Sequence, residues 1–125
     1  MTAGPTILVV DDEREVRNVV SAFLTAAGYK VVAAASGSEA LAAFLQHSTI
    51  AVVLSDIVMP GMSGLELCDR LMHMQPKLKV LFMSGYIERA DLGDIQLLPK
   101  PFRGDELVAK IRALAESAYS SRPAP

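Results

Sequence analysis

Two adjacent acids, Asp11 and Asp12, follow the apolar run TILVV, and a third, Asp56, ends the run IAVVLSD. Ser84 ends KVLFMS, and Lys100 follows IQLLP and precedes Pro101. Three carboxylates brought together repel one another, which raises their pKa values and costs stability. A hard divalent cation removes that cost. Mg²⁺ takes oxygen ligands in octahedral geometry, usually one or two carboxylates with waters and a phosphate. The same cation draws in a phosphoryl group that the carboxylates alone would repel. Lys100 can then pair with one phosphoryl oxygen, and Ser84 can hydrogen-bond another.

That chemistry requires the five residues to meet, and the hydrophobic pattern says how they could. Short apolar runs at Thr6–Val10, Lys30–Ala34, Ile50–Asp56, Lys79–Ser84 and Ile95–Leu98 read as strands. The third is apolar almost throughout, as suits a central parallel strand covered on both faces. Between the runs lie helical periods. Val16, Val19, Val20, Phe23, Leu24 and Ala27 recur at helical spacing, and Gly28 stops that helix. Ser36 with Glu39, and Ser63 with Glu66, make capping boxes ahead of two more helices. The second of these carries Leu65, Cys68, Leu71 and Met72, and Pro76 breaks it. Leu107, Ile111 and Leu114 mark a last helix, which FRGDEL must start at Arg103 or Gly104 without a Ser, Thr, Asp or Asn cap.

Alternating strands and helices imply right-handed crossovers and a parallel sheet with helices on both faces. The expected fold is α/β: a single-domain, doubly wound (βα)5 flavodoxin-like architecture with a five-stranded sheet in the order 2-1-3-4-5. Sites in such sheets lie at the carboxyl ends of the strands, near the switch point. Asp11, Asp12, Asp56, Ser84 and Lys100 all fall on that rim. Residues 1–5 read as an N-terminal extension, 6–117 as the domain and 118–125 as a tail or linker.

Composition narrows the class further. The chain has 125 residues, 51% hydrophobic, with a formal net charge of -2. This is the size of one domain with a substantial core. No basic block marks a nucleic-acid binder, and no apolar run approaches the ~20 residues of a membrane span. The single Cys68 excludes an internal disulfide and fits a reducing, cytoplasmic setting. Cys68 falls in a helical apolar pattern and reads as core. His47 and His73 read as surface residues, and Met59, Met62, Met72, Met74 and Met83 as core and loop packing.

The segments ILVVDDE, VVLSDIVMPGMSGLEL, VLFMSGY and PKPF, in this order and spacing, resemble the response-regulator receiver domain of two-component signalling. The resemblance runs from roughly Thr6 to Ser117. It implies that Asp56 is the phosphoacceptor, taking a phosphoryl group from a phosphohistidine on a histidine kinase or histidine phosphotransfer protein. Asp12 matches the direct Mg²⁺ ligand, Asp11 the acid that holds metal-bound water, and the Val58 backbone carbonyl the remaining protein ligand. Lys100 matches the lysine that contacts the phosphoryl group, and Ser84 the switch hydroxyl. Gly85 matches the small residue that leaves the pocket open. Lys100-Pro101 matches a cis peptide. VLFMSGY and PKPF further resemble receivers attached to hybrid histidine kinases. Such a domain catalyses only its own phosphorylation and dephosphorylation, and Val58 and Tyr86 would flank the path of attacking water.

The sequence departs from that pattern in two places. The aromatic switch position of the fifth strand holds Leu97, for which Tyr86 is a partial substitute. Residues 85–99 must hold a loop, the fourth helix and the fifth strand, so YIERADLGD allows about two turns at ~3.6 residues each. A shortened fourth helix would remodel the surface through which relatives of this family dimerise or signal, and a weak homodimer is the self-association expected of this chain.

Each residue alone has a plainer reading. Asp11 and Asp12 could cap a helix, Asp56 and Ser84 could be turn residues, and Lys100 could be a surface lysine. Their joint occurrence demotes these readings. Two rival functions stand beside the receiver. A phosphorylation-independent receiver that only binds a partner is disfavoured by the presence of all five residues. A Mg²⁺-dependent aspartyl-phosphate phosphatase of the haloacid-dehalogenase type would need a D-x-D motif, which neither Asp11 nor Asp56 supplies.

Overall fold

A computed structural model of the chain describes residues 5–85 and 96–120. Five strands are present: β1 (Thr6–Val10), β2 (Lys30–Ala34), β3 (Ile50–Asp56), β4 (Lys79–Ser84) and β5 (Leu97–Pro99). Among the described residues there are four helices: α1 (Arg14–Ala26), α2 (Gly37–Gln46), α3 (Gly64–Met74) and α4 (Gly104–Ser120). The expected shortened fourth helix falls on residues 86–95 and lies outside the described residues, as does Tyr86.

All strand pairs are parallel and the sheet order is β2-β1-β3-β4-β5, as the alternating pattern predicts. Each face of the sheet carries its own core. Leu8, Val10, Val53 and Phe82 point to the side covered by α2 and α3. Ile7, Val9, Val52, Leu54, Leu81 and Met83 point to the side covered by α1 and α4. The alternation of successive side chains between faces explains why β1 and β3 are apolar at nearly every position.

The local signals produce the expected termini. Ser36 Oγ accepts a hydrogen bond from the Glu39 backbone N–H at 3.2 Å, and Glu39 Oε1 accepts one from Ala35 N–H at 2.9 Å. Ser63 Oγ accepts from Glu66 N–H at 3.1 Å. Gly28 takes φ of 100° after α1, a left-handed conformation that favours glycine. Arg103 starts α4. Its carbonyl accepts from Leu107 N–H, and its own N–H donates to Glu106 Oε1 at 2.9 Å, which supplies the reciprocal half of a cap.

Some expectations are corrected. β5 runs from Leu97 to Pro99; Ile95 lies outside the described residues, and Gln96 precedes the strand with its carbonyl accepting from Phe82 N–H at 2.9 Å. Val19 is 53% exposed and Phe23 42%, although both sit at core-like spacing. The first helix presents an apolar stripe wider than the sheet can cover. Phe23 instead lies over the start of α4, where a Cβ on Gly104 would collide with its ring. Met72 and Met74 are likewise exposed near the end of α3, whereas Met59 and Met83 are buried as expected. No described helix is long and apolar enough to cross a membrane.

Candidate functional site

The carboxyl ends of β1, β3, β4 and β5 converge. Asp11 follows β1 directly and is fully buried. Its N–H donates to Ala34 O at 3.2 Å, which extends the β1–β2 ladder by one step. Its Oδ1 accepts from Glu13 N–H at 2.8 Å. Asp12 is exposed, in the middle of the three-residue link Asp11–Glu13 between β1 and α1. Asp56, 8% exposed, closes β3. Ser84 is buried at the end of β4, one residue beyond the Asp56–Met83 pairing. Lys100 N–H donates to Ser84 O at 2.8 Å, which ties the end of β5 to the end of β4.

Lys100 Nζ reaches inward to the acids. It lies 3.2 Å from Asp11 Oδ2, 3.4 Å from Asp56 Oδ2 and 3.9 Å from Glu13 Oε1. Burial alone would lower the pKa of Lys100. Asp11 and Asp56 outweigh that effect and raise it, so the ammonium form persists. Burial raises the Asp56 carboxyl above its ordinary value, opposed by Lys100 and reinforced by Asp11. A backbone hydrogen bond from Val58 also favours the charged carboxylate. Val58 itself has an exposed side chain.

One carboxylate oxygen from each of Asp11, Asp12 and Asp56 can be chosen so that all lie within 4.8 Å of one another. Ligands at ~2.1 Å from a Mg²⁺ ion stand at most ~4.2 Å apart. Three hard oxygen donors gathered this closely suit a divalent cation.

The remaining expected residues also fall at the rim. Lys100-Pro101 is a cis peptide. Among the described residues, a Cβ on Gly85 would meet nothing nearer than Lys100 Cβ at 4.0 Å. Gly85, Lys100, Pro101 and Phe102 line a groove of about 570 Å³ whose other wall is α1. Leu97 is half-buried, pairs with Phe82 and packs on the α2–α3 side of the core.

Three residues of the site were not singled out by sequence. Glu13 joins the Lys100 cluster. Arg17 Nη1 donates to the Asp11 carbonyl at 2.8 Å. Gly64 allows α3 to approach the Asp56 backbone, and its N–H donates to Ile57 O at 2.8 Å. Arg17 had one readable signal: a cation early in a helix opposes the macrodipole.

The family model for the response regulator receiver domain matches residues 7–112. The chain belongs to the response-regulator receiver family. It is 34% identical over 122 residues to the C4-dicarboxylate transport transcriptional regulatory protein DctD of Rhizobium meliloti, covering 93% of this chain and 26% of DctD. It is 40% identical over 114 residues to the response regulator MprA of a Mycobacterium species, covering 86% of this chain and 49% of MprA. The chain thus spans about a quarter to a half of the length of these relatives. Among solved structures, the Vibrio cholerae chemotaxis protein CheY4 superposes with a TM-score of 0.80 at 30% identity, covering 90% of this chain and 99% of that one. The receiver is a signalling domain, and receivers of this family take phosphoryl groups from histidine kinases and bind Mg²⁺ at an acidic cluster such as this one.

Proposed function

We propose that Asp56 is the phosphoacceptor of this receiver, with Lys100 and Ser84 as its phosphoryl-contacting partners. The observation that carries this is the position of Lys100 Nζ, shared between Asp11 and Asp56 at one rim. An Asp56 carboxylate oxygen attacks phosphorus of a phosphohistidine. A new P–O bond forms, the P–N bond breaks, and its electron pair returns to the imidazole. The product is an aspartyl phosphate. Asp11, Asp12, Asp56 and the Val58 carbonyl would hold Mg²⁺. When bound, the cation supplies positive charge that offsets the acids and the phosphoryl oxygens.

Lys100 is already aimed at Asp56 and needs only a small displacement to pair with a phosphoryl oxygen. Ser84 is joined through its carbonyl to Lys100 N–H. Movement of Ser84 toward the phosphoryl group therefore carries the β4–β5 rim with it. That rim would supply the switched surface, since Leu97 leaves no aromatic group at the usual position in β5. Val58, open to solvent beside Asp56, would set how readily water reaches the adduct. The phosphodonor is a histidine kinase core or a histidine phosphotransfer protein, and the setting is cytoplasmic. VLFMSGY and PKPF favour attachment to a hybrid histidine kinase, with residues 6–117 as the acting unit.

Intact-mass measurement after incubation with acetyl phosphate and Mg²⁺ tests this. The expected result is an acid-stable, base-labile gain of one phosphoryl group, absent in Asp56→Asn and absent without Mg²⁺. No adduct, with rapid hydrolysis excluded by beryllofluoride trapping, would leave a phosphorylation-independent binding module.

A further inference from the structure

We infer that Arg17, on the first turns of α1, is a positioning residue that sets Asp12 for the divalent cation. This rests on the reading of Asp11, Asp12 and Asp56 as a cation site. Asp12 stands between two anchored neighbours. On its amino side, Asp11 is held to the sheet through its N–H and to Arg17 through its carbonyl. On its carboxyl side, the Glu13 N–H is held by Asp11 Oδ1, and the Glu13 carbonyl accepts from Arg17 N–H at 3.0 Å. Arg17 thus closes both ends of the link, with its guanidinium on Asp11 and its backbone on Glu13.

The need for such a clamp follows from where β1 ends. The paired register of β1 ends at Val10 and the Asp11 N–H adds one further bond to β2, so the Asp11 carbonyl lies just beyond the paired strand. The Arg17 guanidinium provides a charge-assisted bond to that carbonyl at 2.8 Å. Among the described residues the Asp12 side chain has no hydrogen-bonding partner. Its carboxylate is therefore placed by its backbone, and the backbone is placed by Arg17. Residues that orient a metal ligand from outside the coordination sphere commonly control affinity in this way.

Charge and position predict opposite signs for a change at Arg17. As a nearby positive charge, Arg17 repels a cation, and its removal would tighten binding. As the clamp of the Asp12 link, its removal would weaken binding. Titration with Mg²⁺ alone, followed by the amide resonances of residues 11–13, separates the two. Arg17→Met keeps much of the apolar stem and removes every donor. It is expected to raise the Mg²⁺ dissociation constant roughly tenfold, the lower end of what such contacts usually carry. Arg17→Lys, which keeps a charged donor, is expected to lose less. Unchanged or tighter binding by Arg17→Met overturns the inference. So does an equal further loss when Arg17→Met is added to Asp12→Asn, because Arg17 would then not act through Asp12. Failure of the wild-type protein to respond to Mg²⁺ would overturn the cation site itself, a distinct result. The same spectra report the fold of each variant through the amides of β3 and β4.

Discussion

Lys100 lies 89 positions from Asp11 in the sequence, yet its Nζ stands 3.2 Å from Asp11 Oδ2. The pairing joins the end of the first strand to the end of the last, and the same ammonium stands 3.4 Å from Asp56 Oδ2. Replacing Lys100 by Ala is expected to slow labelling of Asp56 by acetyl phosphate by ~10²-fold, in line with loss of one preorganised contact to developing charge. Mg²⁺ affinity should hold or rise, because a cation leaves the acid cluster. Without Mg²⁺, the variant should lose about 1–2 kcal/mol of stability. That is less than for a fully buried pair, since the lysine keeps some contact with solvent. Wild-type labelling by Lys100→Ala would remove the lysine from the mechanism.

Asp56 supplies a pH prediction. Burial raises its folded pKa above the ordinary carboxylate value, so between the two values the folded protein binds more protons than the unfolded chain. Stability contributed by this group therefore falls as pH rises through that window. Lys100 is also raised, but its contribution is lost only in the alkaline range. Without divalent cations, Asp56→Asn should have a higher Tm than wild type at neutral pH, and the difference should shrink as pH drops through the window. A Tm equal to or below wild type at neutral pH would show that the carboxylate is not held at a cost.

Much of this site was readable because the strands are nearly all apolar and end in polar residues. β1, β3 and β4 have the bounds their apolar runs suggest, and their ends deliver Asp11, Asp56 and Ser84 to one rim. The serine–glutamate pairs likewise act as helix starts because the caps are local hydrogen bonds that depend on three residues. What periodicity could not show was which apolar residues stay uncovered. Val19 and Phe23 have core spacing, but coverage depends on how α4 crosses α1. Arg17 and Glu13 escaped for a similar reason. Their partners are a backbone carbonyl and a lysine from the far end of the chain, and neither leaves a spacing signature.

Cys68 illustrates a chemistry that the fold suppresses. It is buried in the core between α3 and the sheet, and burial pushes its thiol pKa up to about 12. The thiolate is the reactive form. Cys68 should therefore resist a disulfide reagent such as DTNB at pH 8 and react fully once urea unfolds the chain. Rapid stoichiometric reaction of the folded protein would show that α3 opens readily.

Ser21 carries a buried hydroxyl that has no hydrogen-bond partner among the described residues. An unpaired buried donor costs free energy, and Ala is also the better helix former. Ser21→Ala in α1 is expected to raise stability by about 0.5–1 kcal/mol in urea unfolding, within the span set by those two effects. A clear loss of stability would reveal a partner for that hydroxyl.

Gly64 gives the opposite case, a position where one added methyl should be costly. A Cβ there would stand 2.0 Å from the Asp56 carbonyl oxygen and 3.0 Å from Ser55 Oγ. The first contact is with backbone at the end of a central strand, which cannot turn aside as a side chain could. Ser55 Oγ also donates to that same carbonyl at 2.9 Å, so the collision would disturb a buried hydrogen bond. Moving α3 outward would separate Leu67, Cys68 and Leu71 from the core and shift the link that carries Val58. Gly64→Ala is expected to lose about 1–3 kcal/mol, the usual range for overpacking a well-filled site, despite the gain in helix propensity. It should also slow labelling of Asp56 measured by intact mass, because the carboxylate and its backbone move together. A variant with unchanged urea midpoint and unchanged labelling would show that α3 can retreat from β3 at no cost, and that Gly64 is not what holds the phosphoacceptor in place.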